Sequence, residues 1–261
     1  MIGKRIFEIT RIDSTNTYAQ QIDAKQPLED GTVIWAREQY AGRGQQDHVW
    51  QSEPGKNLTF TVVLKPHFLE PQCQFLLNKA ISLGILDFIQ ASISPECNPR
   101  LVPGNQTANL KCKIKWPNDI LYGDLKMAGI LIETKVMGLV FDTAFIGIGI
   151  NINQTHFVHN LSNAISLIQV MRREIGLKEA LVKVCQYMDL RYMSLKNLKI
   201  EQLNDDYHHH LLGVEEWRDY TREKKTIKGM ITGVDDFGRL MVKHPQGDTI
   251  SYHHKEIEYI L

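Results

Sequence analysis

The chain has 261 residues, room for one large domain and a small one. Thirty basic and thirty acidic residues cancel, so no global field favours nucleic acid or an anionic membrane, and any anion site must be local. An apolar share of 43% suits a globular core, no apolar run approaches the roughly 18–20 residues that span a bilayer, and Met1–Ile9 does not read as a secretory leader.

In chain order, Arg5–Thr10 alternates as a strand. Asp13-Ser14-Thr15-Asn16 is a cluster of N-cap formers ahead of a short helix, Thr17–Lys25. Gly31–Glu38 is a buried strand, Ala41–Gly44 a glycine-rich loop, and Asn57–Leu64 a strand rich in β-branched residues. The period changes to helical over Gln74–Ile93, and Pro95–Asn109 reads as loop. A strand, Ile114–Trp116, stops at Pro117, and Ala128–Val136 and Thr143–Ile152 form a hairpin about Gly138. Ser162 or Asn163 is expected to cap a helix through Ile175, followed by helices Leu177–Leu195 and Ile200–Leu212. Three short strands, Ile227–Val234, Arg239–His244 and Thr249–His253, close the chain as a small β unit that cannot bury much core alone. This order predicts an α+β fold with a mixed or antiparallel sheet, divided as residues 1–213 and 214–261.

Four cysteines, at 73, 97, 112 and 185, show no zinc spacing and read as reduced thilos of a cytoplasmic protein. The run His208-His209-His210 fans out on a helix and does not converge on one metal.

Four constellations carry chemistry. Gly42-Arg43-Gly44 offers backbone amides and a guanidinium to an anion, though a hairpin turn with a solvated arginine uses the same residues. Trp50 downstream is placed to cover an adenine ring, or simply to pack in the core. Lys115-Trp116-Pro117-Asn118-Asp119 presents a cation, an amide and a carboxylate within five residues, and a β-turn with solvated charges is the alternative. Lys126 opens an apolar strand eleven residues after Lys115. The glycines of Gly147-Ile148-Gly149-Ile150-Asn151 point to close approach by a ligand or another backbone. Together these cations, freed amides and a lone carboxylate suit the joining of an organic acid to a nucleoside triphosphate, where two anions must be brought together.

In this order the residues resemble the biotin–protein ligase family over roughly residues 10–155, and Lys-Trp-Pro-Asn-Asp followed eleven residues on by Lys-x-Ala-Gly-Ile-Leu is its specific signature. The resemblance implies a ligase-type catalytic domain and a C-terminal SH3-like barrel. It implies activation of biotin by MgATP to biotinyl-5′-adenylate, then transfer to one lysine of a biotin carboxyl carrier protein of a carboxylase. Biotin and ATP are then substrates, with Mg²⁺ and no tightly bound cofactor. By position, Arg43 and Lys126 would be catalytic. Ser14, Thr15, Asn16, Gln39 and Gly42 would join them on biotin. Arg43, Gly44, Gln45, Trp50, Lys115, Asn118 and Asn151 would hold ATP or the adenylate, and Asp119 the Mg²⁺.

Two departures stand out. The family's Gly-Arg-Gly-Arg-x-Gly-Arg run is here Gly42-Arg43-Gly44-Gln45-Gln46-Asp47-His48, which loses two charges and predicts weaker adenylate retention. The catalytic pattern also begins within about ten residues, leaving no room for a winged helix–turn–helix, so no DNA partner is expected. The alternatives are a lipoate or octanoate ligase of the same fold, a non-enzymatic binding module, and a DNA-binding regulator. A homodimer is left open.

Overall fold

The structure is a computed structural model that describes residues 1–45, 49–94, 112–157 and 163–261. The segment expected as loop at Pro95–Asn109 and the residue Ser162 lie outside them.

Seven strands form the main sheet: β1 (Arg5–Ile12), β2 (Thr32–Gln39), β3 (Leu58–Leu64), β4 (Cys112–Lys115), β5 (Asp119–Tyr122), β6 (Leu125–Met137) and β7 (Val140–Ile150). Their spatial order is β1-β2-β3-β7-β6-β5-β4. Only β1 and β2 pair in parallel, because α1 (Thr15–Lys25) is the crossover between them. Every other neighbouring pair is antiparallel, which makes the sheet mixed.

The central strand β3 is buried at every residue, since the sheet is covered on both faces in its middle. One cover is α1 with its small cluster Ala19, Ile34, Val63 and Phe145. The other is α2 (Gln74–Ile93), which α4 (Leu177–Lys196) and α5 (Ile200–His210) back. The stretch Pro71–Ile93 is long and apolar enough to cross a membrane by length and composition, contrary to expectation. Two-thirds of its apolar window is buried, as suits a helix packed between a sheet and further helices.

The expected helix from residue 162 or 163 to Ile175 is corrected to a five-residue α3, Leu167–Met171, capped by Ser166. The residues before it are held extended against the start of β6: Lys126 N donates to Asn163 O (2.6 Å) and Ile165 N to Lys126 O (3.0 Å). That pairing takes the backbone groups a longer helix would need.

A second sheet of five strands follows: β8 (Trp217–Arg222), β9 (Lys225–Val234), β10 (Leu240–Lys243), β11 (Thr249–Tyr252) and β12 (Glu258–Tyr259), in the order β11-β10-β9-β8-β12. Strands β5, β8 and β12 are additional to those read from the sequence. Each is short or largely polar, so its apolar alternation is weak. The second sheet docks on the first. Trp116 Nε1 donates to Gly238 O (2.9 Å), and the Trp116 and His254 rings meet edge-on at 5.8 Å.

Candidate active site

A cavity of about 460 Å³ opens where the loop after β2, the N-terminus of α1, strands β4–β7 and the last residues of the second sheet converge. Its size suits a ligand larger than a single small ion.

One end is polar and uncharged. Ser14 caps α1, and the helix start is aimed by Gln39 at the end of β2, whose Oε1 accepts from Thr15 N (2.7 Å) and Thr15 Oγ1 (2.9 Å). Thr61 Oγ1 on β3 lies 2.6 Å from Asn16 Oδ1 and 2.8 Å from Thr15 Oγ1. Ser14, Thr15 and Asn16 are almost wholly buried, yet each lines the cavity along with Gln39. Buried hydroxyls and amides in such a wall can recognise a ligand that carries both donors and acceptors.

The cationic part comes from three directions. Arg43 sits on the loop after β2, which folds back on itself through Trp50 N donating to Gly42 O (2.9 Å) and a bridge between Arg43 and Val49. A Cβ on Gly42 would stand 2.5 Å from the Trp50 carbonyl oxygen, so that turn needs glycine. Gly44 and Gln45 also line the cavity, whereas residues 46–48 lie outside the described segments. Arg43 Nη2 donates to Glu133 Oε1 (3.0 Å). Lys126, at the start of β6, places Nζ 2.7 Å from Asp119 Oδ1, as an ion pair rather than an aligned hydrogen bond. Lys115 ends β4, with Nζ 5.7 Å from the centroid of the Tyr259 ring. Asn118 lines the wall but donates Nδ2 to Ile130 O (2.7 Å), so it also holds the β4–β5 turn onto β6.

Trp50 lies across the floor. A Cβ on Gly149 would stand 2.2 Å from its indole and a Cβ on Gly129 3.2 Å, so these two strand glycines form the seat for the ring. Likewise a Cβ on Gly147 would meet Asn16 Oδ1 at 2.8 Å. The close approach expected at the β7 glycines is therefore made by side chains of the protein. Lys126 Nζ is 5.7 Å from the Trp50 ring centroid.

Asn151, expected on the nucleotide, makes its hydrogen bonds within the protein. It is 3% exposed and absent from the cavity wall; its Nδ2 donates to Ile165 O (3.1 Å) and, at longer range, to Lys126 O (3.4 Å). Its amide braces the backbone that carries Lys126. Among the described residues no cluster of three or more His, Cys, Asp or Glu could hold a metal by itself. Asp119 thus lines the cavity outside any ready-made metal cluster, a donor set that suits Mg²⁺ only when a ligand supplies most of the oxygens.

Two groups of residues around the cavity were not anticipated: Glu133, which stands behind the wall and holds Arg43 and Asn16, and a wall segment from the second sheet. Glu133 lies on the same face of β6 as Gly129 and Leu131, and strand alternation through Ala128–Glu133 would have pointed to it. His254, Lys255, Ile257, Glu258 and Tyr259 arrive from the second sheet with no local motif to announce them. Burial pushes the Tyr259 hydroxyl well above the usual tyrosine range, so it stays protonated in this wall.

Comparison with known proteins adds an independent line. The chain is 26% identical over 253 residues to the bifunctional ligase/repressor BirA of Bacillus subtilis, covering 95% of this chain and 72% of that protein. It is 31% identical over 149 residues to the biotin–[acetyl-CoA-carboxylase] ligase of Paracoccus denitrificans, covering 55% of this chain and 53% of that one. Among solved structures, the biotin protein ligase of Aquifex aeolicus in complex with biotin and ATP superposes with a TM-score of 0.76 at 22% identity, covering 98% of both chains. The family model for biotin/lipoate A/B protein ligases matches residues 8–151. That match spans more than half of the chain, and the protein belongs to the biotin/lipoate A/B protein ligase family.

Proposed function

We propose that the protein is a biotin–protein ligase. The observation that carries this reading is a single cavity lined by Arg43 and Lys126 and also by the uncharged hydrogen-bonding wall of Ser14, Thr15, Asn16 and Gln39. A fused ureido ring offers both N–H donors and a carbonyl acceptor to such a wall. A linear lipoyl or octanoyl chain brings no such donors and acceptors to the wall, which disfavours it.

In the first step a biotin carboxylate oxygen attacks the α-phosphorus of ATP and pyrophosphate departs. Lys126 would sit between the carboxylate and the α-phosphate, exchanging Asp119 for the anions and stabilising charge on the phosphoryl oxygens. Arg43, Lys115 and the Gly44–Gln45 backbone would hold the phosphates, and Trp50 the adenylate. Mg²⁺ bound with ATP would neutralise phosphate charge, with Asp119 as its protein ligand. In the second step the amine of a carrier-protein lysine, having lost a proton, attacks the acyl carbon; the amide forms and AMP leaves. The partner is thus a biotin carboxyl carrier domain.

Incubation with biotin, MgATP and such a domain is expected to add one biotin to one carrier lysine, read as a mass shift. Transfer of octanoate or lipoate but not biotin would overturn the reading. A Lys126→Ala variant is expected to lose at least about 100-fold in rate, the scale of removing one preorganised charge stabiliser. Full rate in that variant would remove its catalytic assignment.

A further inference from the structure

One carboxylate outside the cavity wall holds two of the side chains that line it. Glu133 accepts from Arg43 Nη2 through Oε1 (3.0 Å). Its Oε2 accepts from Asn16 Nδ2 (2.9 Å) and from Gln20 Nε2 (3.0 Å), both on α1. Asn16 Oδ1 accepts from Thr61 Oγ1, Thr61 Oγ1 meets Thr15 Oγ1 at 2.8 Å, and the Thr15 backbone N–H donates to Gln39 Oε1. A connected path therefore runs from Arg43 to the uncharged wall, with Glu133 at the junction.

The chemistry of a carboxylate decides what this junction can do. An ionised glutamate accepts only, so it draws the amide nitrogen of Asn16 toward itself and leaves Oδ1 facing Thr61. On the other side it holds one nitrogen of a half-exposed arginine. The remaining guanidinium donors stay available to an anion, and the long side chain has lost part of its rotamer freedom before any ligand arrives. A plain tie between α1 and β6 would need only the bond to Gln20.

We propose that Glu133 is a positioning residue that orients Arg43 and Asn16 together, coupling the nucleotide half of the site to the biotin half. The proposal rests on the biotin-ligase reading. Coupling of this kind is reciprocal, so disturbing the junction alters binding at both ends.

The test compares wild type, Glu133→Gln, Arg43→Gln and the double variant in biotin-dependent pyrophosphate exchange, in release of preformed biotinyl-adenylate, and in biotin binding by calorimetry. Glutamine keeps the size but turns one acceptor into a donor that faces other donors. Glu133→Gln is expected to raise the ATP KM, the adenylate release rate and the biotin Kd by about three- to tenfold each, with kcat within about twofold. In the Arg43→Gln background the added effect on ATP KM and release should fall below about twofold, because the group Glu133 acts through is gone. Gln20→Ala, which removes one α1 bond and keeps those to Arg43 and Asn16, should leave all three readouts within about twofold. Equal losses from Glu133→Gln in both backgrounds, equal losses from Gln20→Ala, or no effect of Glu133→Gln would each overturn the proposal. Wild-type exchange with octanoate or lipoate in place of biotin would overturn the biotin reading alone, and the same cycle is then scored on that acid.

Discussion

Gly149 shows how far one missing methyl group shapes this site. The indole of Trp50 occupies the space where a Cβ would stand, at 2.2 Å, and no side-chain rotamer of an alanine relieves that overlap because the clash is with Cβ itself. Gly149→Ala must therefore move the indole or the β7 backbone. Overpacking of this kind costs about 1–3 kcal/mol. Urea denaturation is expected to show that loss in Gly149→Ala against wild type and little of it in Gly149→Ala/Trp50→Ala against Trp50→Ala, where the clash has no partner. A full additive loss in the double variant would show that the glycine serves the backbone and not the ring. The glycine pattern was visible in the sequence; its occupant was not, since Trp50 lies about a hundred residues away in the chain.

At the scale of elements, periodicity was informative where a face is uniformly buried. The helix α2 has the bounds read from the sequence, and β3 begins one residue later than read, at Leu58. Strands with one wet face and few apolar residues, such as β8 and β12, escaped for the opposite reason. Burial within elements also governs the thiols. Cys112 in β4 and Cys185 in α4 are buried and free, and loss of solvation pushes each thiol up to about 12. A raised folded-state pKa contributes stability that is full below the unfolded value and is lost as pH rises toward about 12. Denaturation midpoints are therefore expected to fall between about pH 9 and about pH 12 and to fall less in a Cys112→Ser/Cys185→Ser variant, measured relative to that variant's own value at pH 7. The native thiols at 112 and 185 should also resist an aromatic disulfide reagent at pH 8, read by peptide mapping, because only the thiolate reacts.

Across the whole molecule the two sheets share one continuous apolar core. Ile231, Leu240 and Val242 of the second sheet belong to the same buried cluster as Phe60 and Ile114 of the first and Phe88 of α2. We propose a boundary near residue 213 as a change of architecture rather than of cooperativity. Heating is expected to give one transition, with tryptophan fluorescence and far-ultraviolet dichroism coinciding. Two resolved transitions would show that the second sheet folds by itself. Truncation at residue 213 should leave a poorly soluble protein that neither binds ATP nor adenylates biotin, since it uncovers Tyr207 and removes the wall from His254 to Tyr259.

The sequence by itself determined the class of fold, the principal helices and strands, and most residues of the cavity, because alternation, capping and glycine-rich turns are local and the signature residues fall in two compact runs. Only the tertiary structure decided which of them face the cavity. Asn151 turns inward to brace a backbone, Glu133 joins the two ends of the site, and a segment more than a hundred residues downstream of Lys126 closes the wall. The physical reason is that a hydrogen-bond partner or a wall is defined by distance in space, and short-range pattern carries no information about which distant strand will arrive there.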